Sequence, residues 1–127
     1  MTALIAATVA TLVLAAIGVV QVLVAAGRPY GRFVWGGQHR VLPRGLRIGS
    51  ALAVLLYAAI AALLFWRAGA FGAPTTFAIV ATWIVFGYFV FGTLLNAISR
   101  SRAERAVMTP ACAVLSVCTL IVALAPA

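Results

Sequence analysis

Lysine is absent from this chain, and acids are reduced to Glu104 alone. His39 is the only histidine, and Cys112 and Cys118 are the only cysteines. Two cysteines cannot build a disulfide-stapled scaffold. They lie six positions apart on one helical run, on different faces, so they cannot pair with each other. One imidazole with so few other donors makes no zinc or haem site. There is no Ser-His-acid set and no Gly-rich phosphate loop ahead of a helix. No cofactor and no metal is therefore expected. Charged residues make up 8% of the 127 positions and hydrophobic residues 66%. A soluble domain is about a quarter charged and about half apolar. This chain has too little polar surface to cover its own core in water, and its mean hydropathy of +1.22 agrees. The same apolarity excludes disorder. What remains is an integral membrane protein of one domain.

Four runs qualify as spans, at about 3–26, 48–66, 75–95 and 103–125, within a single domain of residues 1–127. The first is uncharged, with Gln21 its only strongly polar side chain. At ~1.5 Å per residue it reaches about 36 Å, enough to cross a ~30 Å hydrocarbon core. The runs are too long and continuous for barrel strands, which need ~9–11 alternating residues. Helices also satisfy their own backbone groups in lipid. The fold expected is an all-α, four-helix transmembrane bundle. Ala25-Ala26-Gly27 has the small residues of a signal-peptide cleavage site, but Met1-Thr2-Ala3 carries no cationic start, so the first run is read as a retained span.

All nine cations are arginines, giving a formal net charge of +8. Such a balance suits a nucleic-acid partner in a soluble protein. In a membrane protein it reads as the cytoplasmic excess of cations, and no nucleic acid is expected. Arg28, Arg32, Arg40, Arg44 and Arg47 fall between spans one and two, and Arg100, Arg102 and Arg105 between spans three and four. Arg67 alone falls on the other side. The bias places both termini outside and a long basic cytoplasmic loop, 27–49, between helices one and two. Arginine without lysine in an alanine-rich chain fits a bacterial cytoplasmic (inner) membrane.

Within that loop, aromatic and β-branched residues flank Gly36-Gly37, a pair suited to a two-residue hairpin turn. Either a short β-hairpin or an irregular interfacial loop held by Tyr30, Phe33 and Trp35 is expected. Ser101-Arg-Ala-Glu104 has capping-box spacing. A helix starting near Arg102 encloses Pro110 and should kink there. A start at Pro110 would leave only ~17 residues, the lower limit for spanning.

Polar residues gather at one membrane face. Gln21 and Asn96 lie near the inner ends of spans one and three, and Ser50 starts span two. Such amides can serve as helix glue or as the floor of a polar vestibule. The five loop arginines, with His39 beside them, are the candidates for a phosphate or carboxylate headgroup. Ser101 and Glu104 are the candidates for a helix cap. Alternatively Glu104 pairs with Arg40 or Arg44 and joins the two basic segments. Each half of the chain reads span, amide, basic segment, proline, span, which is a weak parallel repeat.

Two stretches carry a resemblance. Trp35-Gly-Gly-Gln-His-Arg-Val-Leu-Pro-Arg-Gly-Leu-Arg-Ile-Gly-Ser50 resembles uncharacterised small four-helix membrane proteins of Gram-positive bacteria, and so does Asn96-Ala-Ile-Ser-Arg-Ser-Arg-Ala-Glu-Arg-Ala-Val-Met-Thr-Pro110. That resemblance implies a topology and no activity. The topology is also similar to that of membrane-associated eicosanoid and glutathione enzymes. Their Asn-x-x-Glu motif in helix two is missing here, so no active site follows. Small four-helix multidrug exporters need an acid in the first span, which this chain lacks. Thr75-Thr76-Phe77 and Gly92-Thr-Leu-Leu-Asn96 resemble pieces of fluoride channels. Their order is reversed, and the charge bias opposes antiparallel dimers, so that reading is set aside.

The function expected is that of a non-enzymatic multi-pass protein of the bacterial cytoplasmic membrane. It would bind anionic lipid headgroups or a partner membrane protein through a basic inner face. The alternative is a small transporter or channel subunit acting as a homo-oligomer. A membrane enzyme on lipid-like substrates comes third.

Overall fold

The computed structural model describes residues 1–126. Four α-helices carry the fold: α1 (Thr2–Ala25), α2 (Arg44–Arg67), α3 (Thr76–Ala97) and α4 (Arg102–Leu124). Each is long and apolar enough to cross a membrane. Their ends are written in the sequence. Gly27, at a φ of 87°, stops α1, with the Gly27 amide on the Val24 carbonyl and the Arg28 amide on that of Leu23. Gly69 repeats the device after α2. Thr75 caps α3 by accepting from the Ala78 amide, and Ser101 caps α4 by accepting from the Glu104 amide. Pro110 sits inside α4, which runs through it from Arg102. Several hydroxyls inside the spans are spent locally, as with Thr8 on the Leu4 carbonyl and Thr82 on that of Ala78, while those of Thr109 and Thr119 in α4 have no partner among the described residues.

α1 is, with α4, one of the two inner elements. Ala3, Ala6, Ala7, Ala10, Leu14, Ile17, Gln21 and Val24 form its buried stripe, spaced by three and four residues as one helix face requires. Alanines in that stripe let neighbouring backbones approach closely, which is how helices associate in lipid. α1 packs heavily on α2 and α4, and α4 packs heavily on α3. α2 and α3 touch only sparsely. The order around the bundle is therefore α2, α1, α4, α3, with slack between the first and the last. Large apolar side chains such as Leu55, Ile84 and Phe91 point outward, as lipid-facing residues do.

The segment between α1 and α2 corrects the sequence reading. The expected long basic loop, 27–49, is a short linker of residues 26–43, because α2 begins at Arg44 rather than near Ile48. The hydropathy rise marks where lipid begins, not where the helix does. Pro43 has no amide hydrogen to lose, and the chain turns helical directly after it. Arg44 and Arg47 thus belong to α2, and Ser50 lies well inside that helix. No strand forms among the described residues. Gly36 and Gly37 do take φ values of 74° and 70°, but their flanks coil into single turns at Gly31–Phe33 and Trp35–Gly37 instead of pairing. One backbone bond, from the Gly31 amide to the Arg40 carbonyl at 2.9 Å, closes the linker on itself. The physical reason is burial. Val34 and Leu42 are tucked into the core, so the linker folds down onto the bundle as a plug.

Candidate functional site

The slack between α2 and α3 is a cavity of about 1120 Å³ beneath that plug. Leu52 and Leu56 of α2 and Phe91 and Leu95 of α3 line it while remaining exposed on the bundle's outside. The cavity is therefore a cleft that opens sideways between the two helices. Its closed end meets the linker at Phe33, Val34, Trp35, Gly36, Gly37 and Gln38.

Polar groups from all four helices occur along the inner wall. On α1, Gln21 is 9% exposed. Its Nε2 donates to the Tyr57 hydroxyl of α2 at 3.2 Å, and its Oε1 is buried without a partner among the described residues. On α3, Asn96 Nδ2 donates to the Gly92 carbonyl at 2.8 Å and to Cys112 Sγ of α4 at 3.4 Å. Tyr88 of α3 also lines the cleft. On α4, Glu104 is 7% exposed. Its Oε2 accepts from the Gly36 amide at 3.2 Å, and the start of a helix is a favourable place for a carboxylate.

The candidates named from the sequence divide into three groups. Gln21, Asn96, Ser101 and Glu104 meet in the cleft wall. Ser50 is buried but stands behind the wall, where it accepts from the Trp35 indole nitrogen at 2.9 Å. Arg28, Arg32, Arg40, Arg44, Arg47 and His39 are exposed at the same end of the bundle, and none lines the cleft. Arg32 lies over the Phe33 ring, with its guanidinium carbon 4.9 Å from the ring centroid. Arg100 is the arginine at the cleft itself.

No arginine hydrogen-bonds the Glu104 carboxylate among the described residues. Arginine donors go instead to main-chain carbonyls at helix ends. Arg47 Nε donates to Ala25 at the end of α1, and Arg105 Nη1 to Ser99 just past α3. Arg67 Nη2 donates to Ala123 at 3.0 Å and to Ala125 at 2.6 Å, at the end of α4. Such carbonyls have no partner within their own helix and carry partial negative charge.

Sequence reasoning passed over Tyr57 and Tyr88, and it read Trp35 only as an interfacial anchor and Arg100 only as a marker of orientation. Tyr88 and Asn96 stand eight positions apart and so share one face of α3, a signal that was present. Nothing in the sequence brings Gly36 to Glu104. Against protein-family models, curated proteins and solved structures alike, the chain finds no match, so the site rests on its residues alone.

Proposed function

We propose that this is a lipid-binding protein of the bacterial cytoplasmic membrane. An acyl chain lies in the cleft between α2 and α3, and the headgroup sits at the arginine-rich end. The cleft carries the reading. It is open to the side from which lipid arrives, lined by leucine and phenylalanine at its mouth, and polar at its closed end. At about 1120 Å³ it reaches the upper end of typical ligand pockets, which run ~300–1,000 Å³. Arg100 stands at its rim, where a guanidinium can form paired hydrogen bonds to a phosphate. Eight of the nine arginines fall in 28–47 and 100–105, at one end of the bundle. By the cytoplasmic bias of cations that end faces inward, where anionic lipid is also met.

Native mass spectrometry of gently extracted protein tests the reading. The parent should retain phospholipid in a fixed stoichiometry. Ala53→Phe, which places a ring in the cleft, should reduce that retention by at least about tenfold, a change worth ~1.4 kcal/mol. Equal retention by a folded Ala53→Phe protein would overturn it.

A further inference from the structure

The polar end of the cleft has an unusual balance of donors and acceptors. In a chain of net charge +8, its only acidic side chain has been placed here, nearly fully buried, and not among the exposed arginines. The Gly36 amide occupies Glu104 Oε2, and Oε1 has no hydrogen bond among the described residues. Gln21 Oε1 is a buried acceptor without a partner among the described residues. Trp35, Tyr57 and Tyr88 contribute aromatic rings to the same space. A buried anion without a counter-ion is costly, and a buried acceptor without a donor costs about 1–3 kcal/mol. A guest that brings a cation with N–H groups removes both penalties and gains the faces of the rings. Arg100 is exposed, so solvent and salt screen its repulsion of that cation.

We propose that the cleft selects an amphiphile bearing an ammonium group, held by the Glu104 carboxylate and the Gln21 carbonyl oxygen between aromatic rings. The proposal rests on the cleft-binding reading and adds the ligand's headgroup. A zwitterionic phospholipid satisfies it, with ammonium at Glu104 and phosphate toward Arg100. So does a free amine with one alkyl chain.

The experiment has two arms. In the first, the protein is reconstituted in bilayers of equal phosphatidylethanolamine and phosphatidylglycerol with matched chains, then gently extracted, and the retained lipid is weighed by native mass spectrometry. In the second, dodecylammonium and dodecyl sulfate are titrated calorimetrically into protein held in a non-ionic detergent. The parent should prefer the ammonium ligand by at least about tenfold in one arm or both. Preference in the first arm identifies a lipid source, and preference in the second alone identifies a free amine. Glu104→Gln keeps an acceptor for Gly36 and removes the charge, so it should abolish the preference while the amount of bound amphiphile stays near parental. Gln21→Met leaves the linker untouched and should weaken the same preference, which keeps the test decisive if Glu104→Gln folds poorly. Binding without headgroup preference in the parent, or a preference unchanged by both substitutions, would overturn the ammonium site and leave the cleft reading standing. Absence of any bound amphiphile in both arms would sink the two together.

Discussion

The indole nitrogen of Trp35 donates to the Ser50 hydroxyl at 2.9 Å and pins the linker to α2 through a residue whose φ is +52°. A left-handed backbone at a bulky residue costs about 1–3 kcal/mol and persists only where its surroundings hold it. The hydrogen bond is one restraint. The other is Gly49, where an added Cβ would stand 2.9 Å from the Trp35 ring. Ser50→Ala and Trp35→Phe should each lower stability by about 1 kcal/mol. The double variant should lose little more than either single change. Thermal unfolding in detergent reads this, and strictly additive losses would deny the coupling.

Glu104 leads to a different expectation. Its hydrogen bond is to the Gly36 amide, and the cap on α4 is made by Ser101. Glu104→Gln retains an acceptor and removes a buried charge, so the ligand-free protein should melt at the same temperature or slightly higher. High salt should change it little. Ser101→Ala should cost about 1 kcal/mol through the lost cap. A clear drop for Gln, reproduced in the parent by salt, would restore an arginine pair at this position.

Arg67 is 4% exposed, and two of its guanidinium nitrogens, Nε and Nη1, have no partner among the described residues. The third serves two carbonyls of α4. Arg67→Met should cost about 2 kcal/mol, the scale of a charge-assisted hydrogen bond. The loss should appear first as faster amide exchange in the last turn of α4. Uniform exchange along α4 would show that the contact holds nothing in place.

The glycines separate by what surrounds them. A Cβ at Gly31 would overlap the His39 carbonyl, while a Cβ at Gly45 meets nothing within 4 Å. Gly31→Ala should destabilise by about 1–3 kcal/mol through overpacking. Gly45→Ala lies in α2 and should stabilise by up to about 1 kcal/mol through helix propensity. Melting temperatures moving in the same direction for both would contradict the plug-like packing of the linker.

Orientation is measurable in whole cells. With Cys112 and Cys118 replaced by alanine, a cysteine at Ala70 should react with an impermeant maleimide added outside, and one at Gln38 should not. Labelling at Gln38 from outside would reverse the assignment and remove the cytoplasmic placement of the arginines.

The four helices were legible because lipid demands long apolar runs, and their stops because Gly27 and Gly69 sit where a chain must turn left-handed. The start of α2 was not, since hydropathy reports the medium around a helix, while Pro43 decides where the backbone turns. The hairpin reading failed on a similar point. Gly36-Gly37 adopts the dihedrals a hairpin turn would use, yet Val34 and Leu42 stabilise more by entering the core than by pairing as strands. Within the site, Gln21 and Asn96 were visible as polar residues in apolar runs. Glu104 was visible as a cap or as the partner of Arg40 or Arg44, and not as part of the cleft, because its place there depends on a contact between residues 68 positions apart.

The order α2, α1, α4, α3 also bears on how the chain assembles as it is made. α1 and α2 can pair as soon as both have left the ribosome, yet one flank of α1 then stays bare, and Arg67 has no carbonyls to receive it. α3 has little to hold it until α4 follows. Completion of the last helix therefore joins two hairpins along the α1–α4 seam, and the cleft is the seam's counterpart on the far side. Chains arrested before α4 should present quality-control proteases with an alanine-rich flank and an unsatisfied arginine at the same end of one unfinished pair, where the start of α1 lies beside the end of α2.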